Sequence, residues 1–255
     1  LATLSARALA GIPEIRPGDD LAEAIATAAG PGELKAGMVV AIAHTVVSKA
    51  EGALVDLATI EPGPRALELG RGQGRDPRVV QVALEQSAEI LRAERGVLIS
   101  RTRHGFVCAN AGVDSSNAAG RDQVLVLPAD PDASARSLRA RLAELSGLAR
   151  AQAPAVMITD SFGRAWRHGQ TDVAIGLAGL APLDDWRGRT DAHGLRLHAT
   201  WLAIADAAAG AADLVRAKDS AEPVVLIEGL ERFVGAEDGP GALALLRPAA
   251  EDLFS

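Results

Sequence analysis

The chain has 255 residues, enough to bury a substantial core as one large domain or two interlocked ones, and we read residues 1–255 as a single functional unit. With 48% hydrophobic and 23% charged residues it has an ordinary globular balance, which excludes wholesale disorder. A net charge of −7, aromatics at 3% and the absence of Tyr argue against nucleic-acid binding, since the chain repels phosphate backbones and has little to stack on bases. A nucleotide ligand stays open, because a bound metal ion reverses the local sign of the field. The lone Cys108 excludes an intramolecular disulfide and a multi-cysteine metal knuckle, so a reducing, cytoplasmic setting is expected. Leu1 to Gly11 lacks the features of a signal peptide, and no run approaches the about 18 apolar residues of a membrane span.

In chain order, Gly11-Ile12-Pro13-Glu14-Ile15-Arg16-Pro17-Gly18-Asp19-Asp20 is a turn-rich lead-in whose last acids can cap a helix over Leu21 to Ala29. Met38 to Ala43 reads as a buried strand. His44 to Gly52 then forms a polar strand-to-helix connection whose groups could also meet phosphates. Arg65 to Gly74 sets an apolar run before G-x-G-x-G, as at the nucleotide turn of S-adenosylmethionine methyltransferases. A helix from Asp76-Pro77, with Val80, Ala83, Leu84, Ser87, Ile90 and Leu91 at helical spacing, fits that reading. The strand Val97 to Ile99 does not, because it ends in Ser100-Arg101 and offers no acid for a ribose. Ala66 to Leu69 equally suits a helix ended by Gly70, and the glycines read as a loop between helices.

Arg101 to Asn117 is dense in polar groups. Asp114 and Asn117 lie three apart in a loop introduced by Gly112, where a carboxylate can take a hard cation and an amide a ligand; the plainer alternative is an Asx turn. Val124 to Leu127 is a strand, and Asp130-Pro131-Asp132 caps a helix carrying Leu138, Leu142 and Leu145, with Arg136, Arg139 and Arg141 on its solvated face. The richest stretch follows Pro154: Val156 to Thr159 is a short buried strand, with Asp160 and Ser161 where it would end. Behind them come Gly163, Arg164, Trp166, Arg167, His168, Gln170 and Asp172, a set suited to a metal and a phosphate, in which Asp172 could orient Arg164 or Arg167. No two histidines are spaced i, i+4, so a helical zinc site has no support. Residues 173–180 are small and apolar and would pack on the sheet, and 184–194 form a polar connection. Leu202 to Ala217 is a helix broken by Gly210, Val224 to Ile227 is the last strand, and Gly235 to Gly241 is a flexible surface loop.

Several of these segments together resemble the coenzyme F-420-0:L-glutamate ligase family (F-420 gamma-glutamyl ligase). The likeness runs from Gly-Ile-Pro-Glu-Ile-Arg-Pro-Gly-Asp-Asp at 11–20 through Val-Val-Ser-Lys-Ala-Glu-Gly at 46–52 to Leu-Leu-Arg-Pro-Ala-Ala-Glu-Asp-Leu-Phe at 245–254. Its most specific strings are Asn-Ala-Gly-Val-Asp-Ser-Ser-Asn at 110–117 and Thr-Asp-Ser-Phe-Gly-Arg-Ala-Trp-Arg at 159–167. The resemblance is to a stand-alone ligase module, which some actinobacterial relatives fuse to a flavin-binding reductase-like domain.

The resemblance implies an α/β (α+β) fold of mixed sheets with flanking helices, interleaved with a second copy as a homodimer. It also implies a GTP-dependent amide ligation of L-glutamate to F-420-0 through an acyl phosphate. Asp114 and Asp160 would hold Mn2+ or Mg2+, Ser161 would help bind a second ion, and K+ is a further candidate cation. Ile12, Pro13, Glu14, Ile15, His44, Thr45 and Lys49 would line the GTP site. Asn117 would contact the nucleotide, and the loop around Lys218, Asp219 and Ser220 would close over it. Arg164 and Arg167 join the two acids as candidate catalytic groups. Two departures stand out: Arg216-Ala217 where relatives have Met-Gly or Lys-Gly, and Ala199 to Ala207 where relatives carry Thr-Glu-Val-Ala-Val-Ala-Asp-Glu. Two alternatives accompany this reading, a related GTP-dependent ligase for another carboxylate or amine and an inactive nucleotide-binding subunit.

Overall fold

A computed structural model describes residues 3–116, 120, 122–217 and 219–252. Among these, the first half of the chain runs β1 (Ser5–Ala8), α1 (Leu21–Ala29), β2 (Val39–Ala43), α2 (His44–Ala50), β3 (Leu54–Asp56), α3 (Pro64–Gln73) and α4 (Pro77–Glu85). Next come β4 (Ser87–Glu94), β5 (Val97–Thr102), β6 (Val107–Ala109), β7 (Gln123–Leu125) and α5 (Pro131–Leu145). The remainder is β8 (Ala155–Arg164), β9 (Arg167–Ala178), β10 (Leu183–Asp185), β11 (Trp201–Ala203), α6 (Ile204–Val215) and β12 (Val224–Glu228). The fold is mixed α/β with several sheets. No helix among the described residues is long and apolar enough to cross a membrane.

The central sheet has the order β1-β12-β2-β8-β9, and only its β2–β8 pair is parallel. Successive side chains of a strand face opposite ways, so an unbroken apolar run is what a strand covered on both faces requires. Accordingly Val40, Ile42, Val156 and Ile158 join one core with Leu21 and Ile25 of α1 and Leu142 of α5. Val39, Ala41, Ala155 and Met157 join the other beneath α6. That helix offers Ala205, Ala208, Ala209 and Ala212, a stripe at i, i+3, i+4 and i+7 small enough for close approach to the sheet. A satellite unit, with the β3–β7 pair and the β4-β5-β6 sheet, has a small core of Leu57, Val82 and Val124.

Local capping fixes several ends. Asp20, Asp76 and Asp130 each accept a backbone N–H of the helix they precede, as the sequence leads one to expect. Five expectations are corrected. The helix from Pro77 stops at Glu85, and Ile90 and Leu91 lie on β4, because the left-handed pair Arg95-Gly96 turns β4 back on β5 as a hairpin. The strand from Val156 does not end at Asp160 but continues to Arg164 and returns as β9 through Ala165 and the left-handed Trp166. The segment 173–178 therefore lies within the sheet rather than on it, and Gly210 does not break α6.

Arg139 is the fifth correction. Its neighbours Arg136 and Arg141 are solvated, but Arg139 is 1% exposed and reaches into residues 235–238. It donates to the carbonyls of Gly235 (2.5 Å), Ala236 (3.3 Å) and Pro154 (3.3 Å) and to Asp238 Oδ1 (3.0 Å). The supposed surface loop is thus pinned to α5. Gly179, at φ +78°, makes room, since a Cβ there would strike the Arg139 guanidinium.

Candidate active site

Because β2 and β8 are parallel, the carboxyl end of β2 lies beside the middle of β8, where their pairing stops at Ala43 and Thr159. In sheets of this kind ligands bind beyond such ends. The antiparallel β12 begins at the same place, where Pro223 accepts the Ala43 N–H. From the satellite unit, Asp114 bridges to Leu125 through a pair of backbone hydrogen bonds, bringing residues 108–116 over the sheet. Between these elements opens a cleft of about 520 Å3.

The cleft gathers most of the residues singled out from sequence. Ile12, Pro13, Glu14, Ile15, His44, Thr45, Lys49, Asp114, Asp160 and Ser161 all line it. His44, the first residue of α2, places Nε2 3.3 Å from Asp160 Oδ1. Burial disfavours the charged imidazole, but Asp160, with Asp114 and Asp172 behind it, raises the His44 pKa above its ordinary value. Lys49 donates to Glu14 Oε1 at 2.6 Å. Asp160 also accepts the Ser161 N–H at 2.8 Å, and Asp114 Oδ1 accepts both the N–H and the hydroxyl of Ser116. Burial and the nearby Asp160 carboxylate push the Cys108 thiol up to about 12, so it stays protonated at neutral pH.

Other residues fall elsewhere. Arg164 and Arg167 lie at the exposed end of the β8–β9 hairpin, away from the cleft lining, and Arg164 donates to the His168 carbonyl. Asp219 and Ser220 are beside the lining rather than in it, with the Ser220 hydroxyl bound to the Ala217 carbonyl. Asn117 and Lys218 lie outside the described residues. Asp172 pairs with neither Arg164 nor Arg167. Its partner is Arg216, whose Nη1 is 2.8 Å from Asp172 Oδ2. Arg216 carried only the signal of a departure from relatives. Nothing local in sequence marks Asn110, Ala111 and Gly112 as three consecutive left-handed residues, held where Asn110 Oδ1 accepts from Arg75.

The donor chemistry fits a hard divalent cation. Asp114, Asp160 and the Ser161 hydroxyl offer oxygen, and the three acids Asp114, Asp160 and Asp172 bear together on His44. Among the described residues no three His, Cys, Asp or Glu side chains form a metal cage by themselves.

A model of the F420-0:Gamma-glutamyl ligase family matches residues 11–229. The chain is 48% identical to the Coenzyme F420:L-glutamate ligase of Methanopyrus kandleri, over 94% of this chain and 93% of that protein. It is 42% identical to the protein of the same name from Methanothermobacter thermautotrophicus, over 96% of each. The one from Halobacterium salinarum is 41% identical, over 96% of this chain and 97% of that protein.

Proposed function

Since this chain belongs to the F420-0:Gamma-glutamyl ligase family, and is thus a ligase forming a carbon–nitrogen bond, we propose that it joins L-glutamate to coenzyme F-420-0 at the expense of GTP. The γ-phosphoryl group of GTP passes to the F-420-0 carboxylate as the bond to the β-phosphate breaks, leaving GDP and an acyl phosphate. The glutamate amine attacks the acyl carbon, loses its proton, and expels phosphate as the amide forms. The observation that carries this reading is the meeting of Asp114, Asp160 and Ser161 with Lys49 where the parallel pairing of β2 and β8 stops.

Each residue has work that follows from its place. Asp114, Asp160 and Ser161 would hold a divalent Mn2+ or Mg2+, which would supply charge neutralisation between the phosphoryl group and the incoming carboxylate. His44 fixes the Asp160 carboxylate through its 3.3 Å contact. Lys49, steadied by Glu14, sets a positive charge beside the Ile12 to Ile15 wall, where the nucleotide phosphates would lie. Arg164 and Arg167, exposed on the hairpin, would meet substrate or a second copy of the chain in the proposed homodimer. The test is GDP release by purified protein with GTP, Mn2+, glutamate and F-420-0. Omitting either F-420-0 or glutamate should stop sustained release, and Asp160→Asn should abolish it. Equal release without F-420-0 would overturn the proposal.

A further inference from the structure

Asp172, in the lining of the cleft, is closely held. It is 2% exposed, and both of its oxygens are taken. Oδ1 accepts the Ser161 hydroxyl at 2.6 Å, while Oδ2 accepts the Thr159 hydroxyl at 2.9 Å and Arg216 Nη1 at 2.8 Å. Arg216 is itself only 9% exposed, and its Nη1 also donates to Thr159 Oγ1 at 3.0 Å. Stability is a poor reason for such a pair, because desolvation offsets most of the attraction and apolar replacements are often neutral or better. Direction is a better one. A hydroxyl has a single proton and two lone pairs, and a carboxylate can only accept. Arg216 supplies donors alone, so the order of donation is fixed from Arg216 through Thr159 to Asp172, and Ser161 also gives its proton to Asp172.

We infer that Asp172, held by Arg216, is a positioning residue that commits the Ser161 proton, so that toward the cleft the Ser161 oxygen acts as an acceptor, the polarity a divalent cation requires of it. The inference rests on the proposed reading of Ser161 as a cation ligand. Asp172 then binds no ion itself. It sets which way the neutral ligand points, and partners of this kind commonly govern metal affinity by about 10- to 100-fold.

The test titrates Mn2+ into the full chain without nucleotide, following free Mn2+ by electron paramagnetic resonance, beside urea denaturation of every variant. Asp172→Val strands the buried Arg216, so it should lose both stability and Mn2+ affinity. The apolar pair Asp172→Val with Arg216→Met should regain stability yet bind Mn2+ about 10- to 100-fold more weakly, and Ser161→Ala should weaken binding to the same extent. The isosteric pair Asp172→Asn with Arg216→Met should recover affinity, because its amide oxygen can still take the Ser161 proton while its N–H faces Thr159. Unaltered Mn2+ affinity in Ser161→Ala, a variant that leaves the buried pair intact, or in the apolar pair, would overturn the inference alone. Absence of Mn2+ uptake by the unaltered chain would overturn the cation reading and the inference with it.

Discussion

Two arginines share the Asp238 carboxylate, and they should differ several-fold in what they contribute. Arg139 is 1% exposed and Arg150 is 70% exposed, with contacts to Asp238 of 3.0 and 2.9 Å. Arg139→Met removes the contact to Asp238 and a bond to the Gly235 carbonyl at 2.5 Å, together with weaker ones to Pro154 and Ala236 at 3.3 Å. Hydrogen bonds to charged groups contribute about 1.5–3 kcal/mol each, and the weak pair adds less. The loss should therefore be about 3–5 kcal/mol, the range for breaking a buried pair from one side. Arg150→Ala removes only a solvated partner and should cost about 0–1 kcal/mol. Urea denaturation at neutral pH reads both. A cost below about 1 kcal/mol for Arg139→Met, or equal costs for the two variants, would refute the pinning of residues 235–238 to α5. A pH dependence follows from the same geometry. Burial works against the Asp238 charge, yet the hydrogen bonds from Arg139 and Arg150 keep its pKa below the ordinary 3.8. A lowered native pKa stabilises the fold above the unfolded value, and that contribution should fade as pH falls below 3.8 through the native one.

Three more outcomes are expected. Gly176→Ala should destabilise the protein by about 1–3 kcal/mol, since a Cβ there runs into the Pro131 carbonyl at the start of α5; an unchanged urea midpoint would contradict that contact. Asp206 has the opposite linkage to Asp238. Burial raises its pKa, with the Ala174 N–H opposing, so stability is lost as pH rises from 3.8 through the native value. Asp206→Asn, whose amide oxygen can still accept from Ala174, should raise the melting temperature near pH 7 and leave it unchanged below pH 3.8; a lowered one near pH 7 would contradict the assignment. Lys49→Met should raise the GTP KM with little change in folding stability, as its salt bridge to the largely exposed Glu14 contributes about 0–1 kcal/mol, and an unchanged KM would remove Lys49 from the nucleotide site.

What could be read from sequence was whatever is local. The cap at Asp20, the doubly buried runs at 39–43 and 155–158, and the polar cluster at Asp160 each announce themselves within a few residues. The β8–β9 hairpin did not, because beyond Thr159 its strands are partly exposed on both faces and lose the apolar alternation that marks a strand. At β4 the spacing of Val80 to Leu91 imitated a helix, and the hairpin turn at Arg95-Gly96 prevailed. Half the site emerged as two separate stretches whose meeting depends on Asp114 bridging Leu125, a tertiary fact. The partner of Asp172 was invisible for the same reason: Arg216 lies 44 residues away, at the end of α6. Likewise the charge of Arg139 points to a solvated position, although Ala135, Leu142 and Ala143 share its buried face, and the returning segment at 235–238 takes up its guanidinium.

The proposal turns on how the substrate carboxylate is activated. With both carboxylate oxygens of F-420-0 labelled with 18O, reaction in the presence of GTP, Mn2+ and glutamate should release phosphate carrying one 18O atom, in step with glutamylated product. Amide formation with unlabelled phosphate would contradict the acyl-phosphate route.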